Sequence, residues 1–234
     1  MEENRTVALT FTGGAMASLG YALLCMVLSV VVIPAAWGAV AALGWWCAAV
    51  RFSDGTRADF TGRAGKIWPL FAAAAFLALL PSLATSGMPH GNKASAAQFV
   101  LAVALLPLDA AVKLPIYRWT IENIRLTPGG SARFSGRYAP FLGWVLLFTV
   151  SLVTVIGWAF VATAMMRWVC RNTEGDGWGM GFTGSGWSLL GHTVLWLVGF
   201  LLIVPIPWVL RSMARWWTRS LVVIRHGPVG AFFS

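Results

Sequence analysis

Val50-Arg51-Phe52-Ser53-Asp54-Gly55-Thr56-Arg57-Ala58-Asp59-Phe60-Thr61-Gly62 reads as a strand, an Asp-Gly turn and a returning strand that runs into Phe-Thr-Gly. Asp-Gly between alternating apolar residues is a strong hairpin signal. Long apolar stretches flank this segment on both sides, so it reads as a junction between two membrane excursions. Its closing tripeptide recurs. Phe-[Ser/Thr]-Gly stands at Phe11-Thr12-Gly13, Phe60-Thr61-Gly62, Phe134-Ser135-Gly136 and Phe182-Thr183-Gly184, with a truncated relative at Phe232-Phe233-Ser234. The intervals are 49, 74, 48 and 50 residues. A turn glycine keeps the same phase: Gly55, Gly129, Gly177 and Gly227 each stand five positions before the next motif phenylalanine. Each unit also closes on tryptophan and arginine, as in Trp45-Trp46, Arg118-Trp119, Arg167-Trp168 and Arg215-Trp216-Trp217.

Self-similarity at a nearly fixed period marks a repeat architecture. The chain divides into units 11–59, 60–133, 134–181 and 182–234 within a single integral membrane domain, 1–234. Unit two carries about 25 extra residues, placed at 82–98, where Pro, Gly, Ser and Asn predict a loop. Breaks at Pro34, Gly157-Trp158 and Pro205-Ile206-Pro207 split the other units, because proline and glycine end or bend a helix. The expected helices are 14–33, 36–50, 66–82, 99–118, 140–155, 158–169, 187–204 and 207–219. Ile124 to Phe134 repeats the hairpin pattern, Thr6 to Phe11 and Leu221 to Ile224 read as further strands, and the glycine-rich Asn172 to Met180 gives no comparable signal. The expected fold is an all-α polytopic membrane protein. It has four repeated transmembrane helix hairpins, about 6–8 membrane segments, and short cytoplasmic β-strands at the repeat junctions.

Composition supports a membrane setting. Of 234 residues, 58% are hydrophobic and 11% charged, and mean hydropathy is +0.74; ordinary soluble domains carry about 25% charged residues. The 17 Lys and Arg against 8 Asp and Glu read as a topology signal and an attraction to anionic headgroups rather than to nucleic acid. Every basic residue except Lys93 falls near a junction or a terminus, which places the junctions and both termini on the cytoplasmic side. The N-terminus carries two acids before its first base and no cleavage pattern, so no removable signal peptide is expected. Cys25, Cys47 and Cys170 are odd in number and widely spaced, which supports neither a disulfide framework nor a metal site.

Pro207-Trp208-Val209-Leu210-Arg211, together with the Phe-[Ser/Thr]-Gly motifs, resembles the YjgN-type family of uncharacterised bacterial inner-membrane proteins. Trp37 and Trp158 are partial echoes of the Pro-Trp element. The resemblance implies a bacterial inner-membrane location and no mechanism.

Three clusters are candidates for chemistry. Asp109 and Lys113 share a face of an apolar helix, and an intramembrane ionisable pair is a functional-site candidate; its bland counterpart is a packed pair with Lys113 snorkelling to the headgroups. His192 is a candidate axial ligand for haem or a chlorophyll-type pigment, set against a packed, hydrogen-bonded histidine. Arg211, Arg215 and Arg219 form a stripe suited to anionic lipid or to an acidic partner surface. The motifs themselves, with Phe11, Phe60, Phe134 and Phe182, read as strand-to-helix junctions in which the hydroxyl caps the incoming helix and phenylalanine anchors at the interface. No metal site and no nucleophile set is assembled by spacing. No enzyme activity and no cofactor are expected. The leading expectation is an accessory or scaffold subunit of a larger inner-membrane assembly, packing against lipid, pigments, a membrane-protein partner or further copies of itself. The alternative is a small-solute or ion transporter or channel with a path near Asp109 and Lys113.

Overall fold

The computed structural model describes residues 5–89, 91–154 and 156–225. Each unit contributes a helix pair: α1 Ala15–Val30 with α2 Ala35–Ala49, α3 Ala64–Thr85 with α4 Asn92–Glu122, α5 Tyr138–Leu152 with α6 Gly157–Arg171, and α7 Gly186–Leu201 with α8 Ile206–Ser220. Between the pairs run β1 Arg5–Phe11, β2 Val50–Phe52, β3 Arg57–Phe60, β4 Ile124–Thr127, β5 Gly130–Ser131, β6 Arg133–Phe134, β7 Thr173–Gly175, β8 Trp178–Phe182 and β9 Leu221–Arg225. Successive helices pack side by side and α8 returns onto α1.

The strands are a second structural layer. An antiparallel six-stranded sheet has the order β2-β1-β9-β8-β7-β6, and a three-stranded sheet has the order β3-β4-β5. β5 passes into β6 through Ala132, whose N–H donates to the Ile124 carbonyl. The chain thus curls the two sheets into one small barrel, with a seam only where β2 and β3 fail to form a ladder. In every unit the strand before the helix pair joins the strand after it at the motif phenylalanine: Phe11 opposite Val50, Phe60 opposite Ile124, Phe134 opposite Thr173 and Phe182 opposite Leu221. The other ladders join neighbouring units, and β9 closes on β1 from Arg5 opposite Arg225 to Ala8 opposite Val222. Alternation along β1 buries Val7, Leu9 and Phe11 inside and leaves Arg5, Thr6 and Thr10 outside, the period-two pattern of a half-buried strand.

Two expectations are overturned here. The fold is not all-α, because the junction strands assemble into sheets of six and three strands. Nor does it contain about 6–8 membrane spans: among the described residues only α3 and α4 are long and apolar enough to cross a membrane. At a rise of about 1.5 Å per residue the 15- and 16-residue helices reach only about 24 Å, short of a hydrocarbon core of about 30 Å. The 22 and 31 residues of α3 and α4 exceed it. The extra residues of unit two therefore lengthen its helices instead of forming the loop expected at 82–98; the segment between them is confined to 86–91. The prolines inside, Pro69, Pro81, Pro107 and Pro115, are tolerated as they are in membrane helices.

The tips of the three short pairs are apolar. Val30 and Val153 are each 80% exposed and Leu201 is 82% exposed. Val32 and Ile203, at equivalent positions in units one and four, hold the left-handed backbone at φ 65° and 61°, a strained conformation for a β-branched residue. Every large apolar side chain exposed among the described residues lies on a helix or a hairpin tip, and none lies on a strand.

The repeated motif is the joint between the two layers, and it works differently from its sequence reading. Phe11, Phe134 and Phe182 are buried and Phe60 is half-buried. The four rings meet Trp45, Trp119, Trp168 and Trp216 edge-on, with centroids 5.5 to 6.2 Å apart; such pairs add about 0.5–1.5 kcal/mol beyond area burial. They are core contacts rather than interface anchors. The hydroxyl residue does not cap the incoming helix. Thr12, Thr61, Ser135 and Thr183 each donate both N–H and O–H to the carbonyl that ends the unit's second helix, at Ala49, Asn123, Asn172 and Ser220. Orphan carbonyls at a helix C-terminus are thereby satisfied. Glycine closes the motif because a Cβ at Gly13, Gly62, Gly136 or Gly184 would lie 2.3 to 2.7 Å from the phenylalanine ring two residues earlier.

The turn glycines Gly55, Gly129 and Gly177 hold φ of 82°, 139° and 76°; Gly227 lies outside the described residues, as do His90, His226 and Phe232. Unit three does form a hairpin, β7 to β8, with Glu174 opposite Gly179. Its glycine content serves Trp178: a Cβ on Gly175 would stand 2.2 Å from that indole, which plugs the base of the barrel and donates Nε1–H to the Gly129 carbonyl at 2.6 Å.

Candidate functional site

The sequence candidates of unit four converge. α8 is the most amphipathic helix of the chain, with Arg211, Arg215 and Arg219 one turn apart on a single face, as the four-residue spacing requires. α7 packs beside it and adds His192. Together with Trp208, Ser212, Trp216 and Ser220 these residues line one groove of about 520 Å³. The groove climbs from the barrel, where Ser220 passes into β9, toward Arg211 about 13 Å further along the helix. Arg219 is exposed, whereas Arg215 and Arg211 are half-buried.

Its electrostatics are one-sided. No carboxylate lines the groove, and the ion pairs among the described residues involve other cations: Lys113 with Asp109, Arg133 with Asp176 and Arg225 with Asp54. The Nε of Arg211 is buried and has no hydrogen-bond partner. A buried guanidinium donor left unmatched is costly.

His192 is held rather than free to turn. Its Nδ1 lies 2.8 Å from the Ser188 carbonyl and donates to it. The imidazole sits against Trp196 and Trp216, with centroids 5.6 and 6.0 Å away. The Ser188 hydroxyl is engaged elsewhere, accepting from Trp216 Nε1 at 3.0 Å. Trp196 Nε1 donates to the Ser212 hydroxyl at 3.3 Å, so the indoles brace α7 on α8 and set the groove's floor.

Asp109 and Lys113 stand apart from this site. They pair with each other on α4, Nζ to Oδ2 at 2.7 Å, with Asp109 15% and Lys113 48% exposed. Two residues before Asp109, the Pro107 carbonyl accepts from the Tyr138 hydroxyl at the start of α5. That bond sets the pair near the level where α5 begins. No group of three or more His, Cys, Asp or Glu able to hold a metal is found among the described residues.

Two arginines that the sequence offered only as topology markers have a defined task. Arg118 Nη2 donates to the Gly136 carbonyl at 3.2 Å and Arg167 Nη2 to the Gly184 carbonyl at 3.0 Å, so each reaches from one unit to the motif of the next. The signal was the Arg-Trp pair standing in phase with the motif. Unit one carries Gly44 at this position and lacks the donor. No family model, curated protein or solved structure matches the chain.

Proposed function

We propose that the chain is an accessory or scaffold protein of a bacterial inner membrane that holds an anionic phosphate headgroup in the α7/α8 groove. One observation carries the reading: three arginines and a histidine from two helices line a single groove that contains no carboxylate. Phosphate suits such a site, because guanidinium forks bind its oxygens bidentately. The α3/α4 pair is assigned the two crossings, and the short pairs enter the bilayer part-way with their apolar tips in hydrocarbon. The barrel then lies at the cytoplasmic headgroups. That placement agrees with the basic residues on its outer strands, among them Arg51, Arg57, Arg125 and Arg133, and with the location that the YjgN-type resemblance implies. The transport reading rests on Asp109 and Lys113, whose contact satisfies each with the other and leaves no vacant charge to bind an ion.

The test is lipid binding by the detergent-purified protein, followed by native mass spectrometry. Phosphatidylglycerol is expected to bind at least about tenfold more tightly than phosphatidylcholine, with a preference that weakens with salt and disappears in R211Q/R215Q/R219Q. Displacement of the lipid by millimolar inorganic phosphate would assign the groove to a free phosphate. Equal retention of both lipids by the wild type and the triple variant would overturn the proposal. A visible absorption band in the same preparation, lost in His192→Ala, would assign a pigment or haem role to that residue.

A further inference from the structure

The barrel interior is not filled. A cavity of about 160 Å³ lies within it, bounded by inward residues of the strands and roofed by the last turns of α2, α4 and α6. Its wall is apolar. The polar tips that belong to it are engaged: Trp46 Nε1 donates to the Thr218 hydroxyl at 3.2 Å, Trp178 Nε1 to the Gly129 carbonyl at 2.6 Å, and the Thr173 hydroxyl to the Val169 carbonyl at 2.9 Å. Water placed there would find no partners, and a water molecule needs two to four of them. Protein interiors are otherwise close-packed, so a void of this size has a structural origin.

The repeat reveals that origin. The residue two before each motif phenylalanine points into the barrel, and the four equivalent positions carry Leu9, Ala58, Ala132 and Met180. Leu9 and Met180 are long and Ala58 and Ala132 short, and all four line the cavity, so the two alanines leave room that a leucine in their place would take. Ala58 also stands beside the seam. β2 ends one sheet and β3 begins the other, and between them opens a cleft of about 680 Å³ that shares Cys47, Val50, Phe52 and Ala58 with the cavity. A void that is dry, lined by two short residues where the repeat elsewhere carries long ones, and bordered by an unzipped seam has the parts of a binding site.

We infer that the barrel cavity binds a compact, uncharged apolar molecule of about benzene size, the scale at which a dry cavity of about 150 Å³ is known to take such a guest, and that the guest passes through the β2/β3 seam. This site is independent of the arginine groove. Benzene is the probe, and A58L/A132L, which copies the barrel's own filled positions, is the control for its effect on the detergent micelle. Benzene should raise the wild-type Tm by about 2 °C more than it raises that of the double variant. Xenon-pressurised crystals of the wild type should show xenon between Ala58 and Ala132. Should the double variant not fold, the single variants A58L and A132L replace it, each with a reduced benzene shift. An equal Tm shift in wild type and filled variants, ordered water in the cavity, or a wild-type barrel that admits no xenon would overturn the inference.

Discussion

Unit two and the other three units share one joint and differ in what they send away from it. The aromatic pair, the doubly bonded helix-end carbonyl and the ring-facing glycine are the same at Phe60-Thr61-Gly62 as at Phe134-Ser135-Gly136. Yet the α3/α4 pair is joined through Ser86-Gly87-Met88-Pro89-His90-Gly91, whereas the short pairs end in valine, leucine and isoleucine. The barrel and its joints therefore fix the architecture independently of helix length. What differs between the pairs is their reach and the residues at their tips.

Charges at the tips should break that contrast most strongly. Ile203→Asp or Val31→Lys puts a charge where hydrocarbon is proposed, at about 2.5–3.5 kcal/mol near the bilayer centre, and should sharply reduce the protein recovered in the membrane fraction. Ser86→Lys and Met88→Asp, at the long tip, should leave recovery unchanged. Equal losses at both kinds of tip would end the distinction. The shared joint is probed next. Gly62→Ala and Gly136→Ala each drive a Cβ into a phenylalanine ring and should cost about 1–3 kcal/mol, while Gly14→Ala, with nothing within 4 Å of the added atom, should cost nothing. Thermal unfolding would show whether units two and three suffer equally, as a common joint requires.

The smallest effect concerns the latch between units. Arg225 on β9 donates to Asp54 Oδ2 at 2.9 Å and to the hydroxyl of Thr56, holding the turn that separates units one and two. Burial disfavours ionised Asp54, but hydrogen bonds from Thr56 and the nearby Arg225 outweigh it and hold the carboxyl below its ordinary value. A depressed carboxyl contributes stability that is complete above its unfolded pKa, about 4, and is lost as pH falls through the lower folded value. Asp54→Asn should therefore lower stability at pH 7 by no more than about 1 kcal/mol, since the pair is partly screened, and should differ least from the wild type at pH 3. A difference that persists undiminished at pH 3 would show that the charge is not the cause.

Helix positions were legible because Pro34, Gly157 and Pro205 interrupt apolar runs whose ends the Trp-Arg pairs mark. The number of crossings was not. Hydropathy counts Val31, Val32 and Ile33 like residues of a span, and only the final geometry separates a tip from a passage. The Asp54-Gly55 turn announced its hairpin, but the closure of β9 on β1 depends on pairing across more than two hundred residues, which no local pattern encodes. Within the groove, the spacing of Arg211, Arg215 and Arg219 exposed the stripe. That His192 faces it follows from how α7 is braced by Trp196 and Trp216, a tertiary fact.

Because β9 zips onto β1, the ring has no privileged first member. A circular permutant opened between β7 and β8, with a short linker joining the present ends, would retain every joint and exchange one hairpin for another. Such a chain offers a way to ask whether the quarters fold in order of synthesis or only as a completed circle.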